Sequence, residues 1–185
     1  VIWRRHGHDV VLYSRDKDIT QSLMQAYGLE GKCLSRMRKG KWNLVRELFV
    51  HNTRLANEVR RVRPDILLQI GGTFVAPVGY LCRVPSLVFS DTEMARASNR
   101  VSFPFATAVI TPDCYNGWAP SGQHYVYAGY HELAYLHPHR FTPDERIFER
   151  LEIAPAEPYS IVPFVSWGAA PAVAASRFSK ATTVH

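Results

Sequence analysis

The stretch PDILLQIGGTFVAPVGYLCRVPSLVFSD, residues 64–91, contains two apolar runs separated by a segment of helical character. DILLQIGG (65–72) predicts a buried strand that ends at a glycine pair, and PSLVFSD (85–91) predicts a second. The intervening TFVAPVGYLCRV predicts a helix, because Pro77 is tolerated in a first helical turn. Continuous apolar strands that alternate with helices are typical of a parallel sheet covered on both faces. We therefore predict an α/β fold with a doubly wound parallel sheet.

The same alternation continues on both sides of this stretch. Strands are predicted at 9–15, 33–37, 107–113 and 124–129, and a last strand at 158–167. Helices are predicted at 18–28, where Asp18 caps and Gly28 ends the helix, at 42–62 before Pro64, at 93–103 and at 142–153. We predict a Rossmann-like N-terminal domain over 1–130 that lacks its first strand, a crossover linker over 131–141, and an incomplete second α/β domain over 142–185. The fold would then be truncated at both ends.

The composition favours anionic partners without choosing among them. Lys and Arg number 22 against 16 Asp and Glu, for a net charge of +6 and a pI of about 9.4. Phosphorylated metabolites, nucleic acid and anionic membrane surfaces all fit this balance. The three cysteines lack CxxC spacing, which is typical of reduced thiols in a cytosolic protein. A basic set near 36–42 (Arg36, Arg38, Lys39, Lys41 and Trp42) is either a solvated loop or a contact with lipid head groups or nucleic acid.

Polar side chains follow three of the predicted strands, at GGT (71–73), SDTE (90–93) and TPD (111–113). Ligands of parallel sheets bind outside the carboxyl ends of the strands. A glycine pair lets a ligand approach the backbone, and the N–H groups of the following helix are expected to be free for an anion. Asp91 and Glu93 could bind hydroxyls or act as acid or base, while Asn99 and Arg100 could orient a phosphate.

A purely structural interpretation of the same residues stays open. Asp and Thr at a helix start are ordinary N-caps, and Glu in the first turn complements the helix dipole. The sequence has neither GxGxxG nor GxxxxGK[ST], and HELAYLHPH (131–139) lacks the HExxH spacing of zinc proteases. With no GxSxG motif either, we predict no metal site and no covalent hydrolase.

Several motifs together resemble an uncharacterised prokaryotic family, domain of unknown function three-five-four. They are RRHGHDV (4–10), PDILLQIGG (64–72), PSLVFSDTEMA (85–95), NRVSFPFATAVITP (99–112), GYHELAYLHP (129–138) and EPYSIVPFVSWGA (157–169). The resemblance implies a GT-B glycosyltransferase-like fold, related to the UDP-N-acetylglucosamine 2-epimerases, in surface polysaccharide biosynthesis. It implies no cofactor beyond a nucleotide sugar as co-substrate, a glycan or lipid-linked acceptor, and a cytoplasmic protein with optional peripheral contact at the inner membrane.

The resemblance also assigns roles. Glu93 matches a catalytic carboxylate of the epimerases, and Asp91 is grouped with it as catalytic. The second acidic position of the epimerases is replaced by 96–98, Arg-Ala-Ser, which disfavours a two-carboxylate proton shuttle and favours sugar transfer or binding. The substrate-binding residues implied are Gly71, Gly72, Thr73, Thr92, Asn99, Arg100, Thr111, Gly129, Tyr130 and Glu132.

One segment departs from the family pattern. Where RFVSWGAxHDxGHxG is expected, residues 163–177 are PFVSWGAAPAVAASR, so that Pro163, Pro171 and Ala172 replace groups able to bind a diphosphate. We therefore predict a glycosyltransferase-like, sugar-nucleotide-dependent domain that is inactive as this fragment. The alternatives are an epimerase-like enzyme, a non-catalytic glycan- or nucleotide-sugar-binding relative, and a basic nucleic-acid-binding protein.

Overall fold

The computed structural model describes residues 2–16, 19–36 and 41–154 together with Pro158 and Ser160, with the backbone alone for 41–44. The chain divides into two compact units, Val1–Ala128 and Gly129–His185. In the described ranges, no helix is long and apolar enough to cross a membrane.

The first unit alternates strands and helices. In chain order it contains α1 (Ile2–Arg5), β1 (Tyr13–Asp16), α2 (Thr20–Ala26), β2 (Lys32–Arg36), α3 (Lys41–Val62), β3 (Leu67–Ile70), α4 (Val75–Cys82), β4 (Ser86–Phe89), α5 (Arg96–Ser102), a 3-10 turn (Phe103–Phe105), β5 (Ala108–Pro112) and β6 (His124–Tyr127). Over the described ranges, β1 and β2 pair in one parallel sheet, and β3-β4-β5-β6 form a second, also parallel. The predicted α/β class with parallel strands is confirmed.

The core lies between the four-stranded sheet and the helices. Val88 of β4 and Val109 of β5 are fully buried in the two central strands, and Val78 of α4 packs into the same core. The long helix α3 contributes through its C-terminal half, where Leu55 and Val59 are buried. The predicted apolar face of this helix is therefore buried only in part, since Val45 and Phe49 are exposed.

Several elements begin later than the sequence predicted, and two of these shifts are informative. The first strand begins at Tyr13 instead of residue 9, because its parallel partner β2 begins at Lys32, which pairs with Tyr13. Helix α5 begins at Arg96 instead of residue 93. The second shift matters for function, because the segment SDTE then lies in the loop that leaves β4, several residues before the helix.

The second unit contains α6 (Leu133–Leu136) and α7 (Arg146–Leu151) within its described residues. The helix predicted over 142–153 is present but shorter, as it begins at Arg146 and ends at Leu151, and Asp144 accepts a hydrogen bond from the Arg146 backbone N–H at 3.1 Å. The predicted last strand (158–167), the departures over 163–177 and the Asp18 cap lie outside the described residues. The assignment of this unit to a second α/β domain stays a prediction.

Candidate functional site

The loop after β4 does not cap a helix. Helix α5 begins at Arg96 with Ala95 as its N-cap residue, and no side chain makes a capping hydrogen bond there. Asp91, Thr92 and Glu93 are all exposed, whereas the preceding Ser90 is buried and donates its backbone N–H to the Ile110 carbonyl oxygen at 3.0 Å. The capping interpretation is therefore wrong, and the two carboxylates are open to solvent at the carboxyl end of β4.

The loop after β5 holds one of these carboxylates in place. The Asn116 backbone N–H donates to Glu93 Oε1 at 2.7 Å, which joins the segments that follow two neighbouring parallel strands. Asp91 Oδ1 accepts a hydrogen bond from the Thr92 hydroxyl at 3.0 Å. Glu93 Oε2 has no hydrogen-bond partner among the described residues, so it is available to a ligand. We call Asp91, Thr92, Glu93 and Asn116 the acidic rim.

Asn99 stabilises the two loops that form the acidic rim. It is buried, and its Nδ2 donates to the Thr92 carbonyl oxygen at 3.2 Å and to the Tyr115 hydroxyl oxygen at 3.4 Å. Burial and the nearby Glu93 carboxylate raise the pKa of Tyr115, so this hydroxyl stays protonated and donates to the Trp118 carbonyl oxygen at 3.3 Å. Asn99 thus organises the loops, while Arg100 is exposed on the same helix.

The glycine loop, residues 71–74, follows β3. Its first residue has φ of +79°, which glycine adopts without strain, and a Cβ on Gly72 would come within 2.7 Å of a Val88 methyl group. Thr73 Oγ1 and Ser98 Oγ are hydrogen bonded at 2.9 Å. The backbone N–H groups of residues 74 and 75 both donate to Gln69 Oε1, at 3.3 and 3.1 Å. These N–H groups at the start of α4 are therefore not free for an anion, contrary to the expectation from sequence.

Four other predicted site residues occupy different surroundings. Thr111 is fully buried, and its hydroxyl is hydrogen bonded to His124 Nε2 at 2.9 Å, so it braces β5 against β6. Gly129 (φ +124°), Tyr130 and Glu132 belong to the second unit, where the Glu132 carbonyl oxygen accepts the backbone N–H of Leu136 at 2.7 Å. Their predicted place along a ligand cleft stays a prediction.

A second polar cluster lies at the carboxyl ends of β1 and β2, and sequence reasoning missed it. Arg15 donates to both oxygens of Glu47, from Nε at 2.6 Å and from a terminal nitrogen at 3.1 Å. Ser35 Oγ lies 3.2 Å from Glu47 Oε1 and 2.7 Å from His51 Nδ1. We call these four residues the Arg15 cluster. The available signal was the spacing of Glu47 and His51, which are polar, four residues apart and therefore on one face of α3.

The Arg15 cluster is not a catalytic triad. In a triad the histidine lies between the nucleophile and the carboxylate, whereas here Ser35 lies between His51 and Glu47. Burial, together with the nearby cations of Arg15 and Arg54, lowers the pKa of His51 from 6.5 to about 4. The histidine is therefore neutral near pH 7. The hydrogen bonds of the cluster connect β1, β2 and α3, which is a structural role.

Glu58 ties β1, β2 and α3 together on another part of the long helix. Its carboxylate accepts hydrogen bonds from Lys32 Nζ at 2.6 Å, from Arg61 at 2.6 Å and from the Tyr13 hydroxyl at 3.0 Å. The hydrogen bonds from Lys32 and Arg61 lower the pKa of Glu58 to about 2.

Comparison with known proteins places the chain in a family. The family model described as "Protein of unknown function (DUF354)" matches residues 1–166. The chain belongs to this family. The resemblance inferred from the sequence motifs is thus confirmed.

Two curated relatives are similar over about half of the chain. Both are UDP-N-acetylglucosamine--N-acetylmuramyl-(pentapeptide) pyrophosphoryl-undecaprenol N-acetylglucosamine transferases. The one from Stutzerimonas stutzeri (strain A1501) is 32% identical over 102 residues, covering 52% of this chain and 28% of the relative. The one from Marinobacter nauticus (strain ATCC 700491 / DSM 11845 / VT8) is 32% identical over 98 residues, covering 51% and 26%. The similarity thus spans little more than a quarter of the length of these relatives.

A solved structure shares the fold. The crystal structure of Acinetobacter baumannii MurG superimposes with a TM-score of 0.55 and 15% sequence identity, covering 69% of this chain and 38% of that one. At this identity the likeness shows the fold alone, which is the parallel α/β arrangement of the GT-B type predicted from the sequence.

Proposed function

We propose that this chain is part of a glycosyltransferase-like protein that depends on a nucleotide sugar, with a role in surface polysaccharide biosynthesis. The acidic rim carries the proposal, because it offers two exposed carboxylates at the carboxyl end of a parallel strand. Ligands of open α/β sheets bind at such ends. The sequence similarity to two N-acetylglucosamine transferases supports a sugar nucleotide as the donor.

The proposed chemistry assigns Glu93 the role of general base. An acceptor hydroxyl oxygen attacks the anomeric carbon of the donor sugar, the bond from that carbon to the diphosphate oxygen breaks, and the hydroxyl proton passes to Glu93 Oε2. The nucleoside diphosphate leaves with the bonding electrons. Asn116 fixes Oε1 through its backbone N–H, so the other oxygen is held toward solvent in a constant orientation. Asp91 and Arg100 would orient the acceptor and the phosphates.

The partners follow from the same proposal. The acceptor would be a glycan or a lipid-linked sugar, and the basic net charge of +6 favours contact with phosphates or anionic lipid at the inner face of the membrane. Turnover in the GT-B arrangement needs groups from both domains. We therefore expect the 185-residue chain to bind ligand without turnover.

The test is a thermal-shift titration of the chain with UDP-N-acetylglucosamine, UDP and UMP. A ligand at about a hundred times its Kd stabilises the folded state by about 2.7 kcal/mol. We expect stabilisation by the sugar nucleotide in the wild type and a weaker effect in Glu93→Gln. The matched control is Asp65→Asn, an exposed carboxylate in the loop before β3, which should respond as the wild type does.

Equal shifts in Glu93→Gln and in the wild type would contradict the assignment of Glu93. The absence of a shift with all three ligands would contradict sugar-nucleotide binding by this chain.

A further inference from the structure

We infer that His51 is a positioning residue: it holds the glycine loop in place through the ring of Phe74 and releases the loop when it is protonated. The inference rests on an unbroken series of contacts from β2 through α3 to the loop that follows β3.

The Phe74 ring lies close to two members of the Arg15 cluster. Its ring centroid is 3.9 Å from that of His51, with 30° between the ring planes, and Arg15 Cζ is 5.8 Å from the same ring. Phe74 also packs against the buried core, so its position follows the positions of these neighbours. Because Phe74 is the last residue of the glycine loop, these contacts tie the backbone of residues 71–74 to α3 and to the core.

Hydrogen bonds fix both partners of Phe74. Ser35 holds His51 through Nδ1 at 2.7 Å, and Glu47 holds Arg15 with two hydrogen bonds. The Ser35 hydroxyl can donate a hydrogen bond to only one of its two neighbours, Glu47 and His51. When it donates to the Glu47 carboxylate, His51 Nδ1 must be protonated and donate to Ser35 Oγ. The ring is therefore anchored at one edge and packed on one face.

A proton on His51 opposes this arrangement. The groups that face the ring are Arg15 from β1, Ser35 from β2, and Glu47 and Arg54 from α3. Glu47 is already paired with Arg15, so the new charge gains little from it and meets two cations in a buried place. Burial is the main cause of the low pKa of His51, about 4, and the cations of Arg15 and Arg54 add to it. Opening the loop lets the histidine reach water, where it binds a proton near its usual pKa, so acid favours the open loop.

The consequence for ligand binding rests on the proposed function. The glycine loop and the acidic rim follow the adjacent strands β3 and β4, and Thr73 is hydrogen bonded to Ser98 of α5 at 2.9 Å. An opened loop would therefore disturb the side of the site that faces α5. That His51 holds the loop does not depend on which ligand binds.

The test is amide hydrogen exchange of the full chain, followed by mass spectrometry and corrected for the intrinsic effect of pH. In the wild type, the peptide that contains residues 71–76 should exchange roughly thirtyfold faster at about pH 5 than at about pH 7.5, because pH 5 lies about 1.5 units below the usual histidine pKa of 6.5 and each unit shifts the opening equilibrium tenfold. The peptide that contains β5 (Ala108–Pro112) reports on the rest of the core and should show no such change.

Two variants separate the ring from its charge. His51→Phe keeps a ring against Phe74 and cannot be protonated, so its loop should stay protected at both pH values. His51→Gln can still bond Ser35 but has no ring, so its loop should exchange fast at both.

Equal protection of the wild-type loop at the two pH values would overturn the inference, and so would an acid response of His51→Phe equal to that of the wild type. UDP-N-acetylglucosamine binding, measured on the same samples, tests the proposed function separately. Loop exchange that follows the expected pattern without any binding would uphold the role of His51 and contradict the proposed ligand.

Discussion

The acidic rim and the Arg15 cluster both lie at the carboxyl ends of parallel strands, yet they treat charge in opposite ways. In the acidic rim, Asp91 and Glu93 are exposed, and no cation pairs with them among the described residues. In the Arg15 cluster, the Glu47 side chain is 6% exposed and carries a bidentate bond from Arg15. The comparison indicates two different roles. The acidic rim is accessible to a ligand, whereas the Arg15 cluster stabilises the structure around it.

Removing the buried carboxylate should have the largest effect on stability. Glu47→Ala leaves the Arg15 guanidinium in a largely buried place without its partner, which typically costs about 3–5 kcal/mol. The free energy of unfolding from urea titration measures this loss. The matched control is Asp16→Ala, which breaks the Arg36–Asp16 pair whose side chains are 78% and 29% exposed and should cost less than about 1 kcal/mol. Similar losses in both variants would remove the distinction between the buried and the exposed pairs.

Acid should weaken the fold in two separate windows. The folded-state pKa of His51, about 4, lies below its usual 6.5, so the unfolded state binds the proton first. The free energy of unfolding should fall by about 3 kcal/mol between these pH values and then level off. The pKa of Glu58 is likewise lowered, from 4.5 to about 2, so the stability that its bonds contribute is lost as pH falls through that lower range.

Two variants test which residue causes the loss of stability in each pH range. His51→Phe should remove the upper fall in stability and leave the lower one, while Glu58→Gln should do the reverse. Urea unfolding at a series of pH values measures both. An upper window that persists in His51→Phe would mean that another group titrates there.

Gly72→Ala tests how closely the glycine loop is packed on the sheet. The added Cβ would come within 2.7 Å of Val88 Cγ2, and such overpacking costs about 1–3 kcal/mol. In a Val88→Ala background those methyl groups are absent, so the penalty of Gly72→Ala should shrink. Equal penalties in the two backgrounds, measured by urea unfolding, would show that the loop moves away from β4 at little cost.

Glu93→Gln should have the smallest effect on stability, within about 0.5 kcal/mol, because the side chain is exposed and the amide oxygen can still accept the Asn116 N–H. Thermal unfolding without ligand measures it. A large loss would mean that the acidic rim holds the fold together, which would weaken its assignment as a ligand site.

The sequence predicted the strands well where neighbouring residues decide the outcome. The apolar runs that become β4 and β5 are central, and the run that becomes β3 pairs directly with β4, so periodicity and length sufficed to find all three. The first strand was placed too early, since its start depends on the partner strand about twenty residues away, as its pairing of Tyr13 with Lys32 shows.

The candidate site was predicted only in part, and for the same reason. Asp91 and Glu93 follow a predicted strand, so their place at its carboxyl end could be inferred. The hydrogen bond from Asn116, 23 residues further along the chain, could not. The Arg15 cluster was missed because Arg15, Ser35 and Glu47 come from three different elements and meet only in the folded chain. Gln69 accepts hydrogen bonds from the backbone N–H groups at the start of α4. It lies inside a strand, where a polar residue does not by itself predict such a contact.

The order β3-β4-β5-β6 of the larger sheet has a consequence for synthesis on the ribosome. After β3, each strand of this sheet pairs with the one that precedes it in the chain, so none has to wait for a distant segment to be translated. The nascent chain leaves the ribosome N-terminus first, at about 5–20 residues per second, and each new strand meets an edge that is already present. The sheet can therefore grow one strand at a time, and the loops of the acidic rim come together only when β5 and residue 116 have emerged.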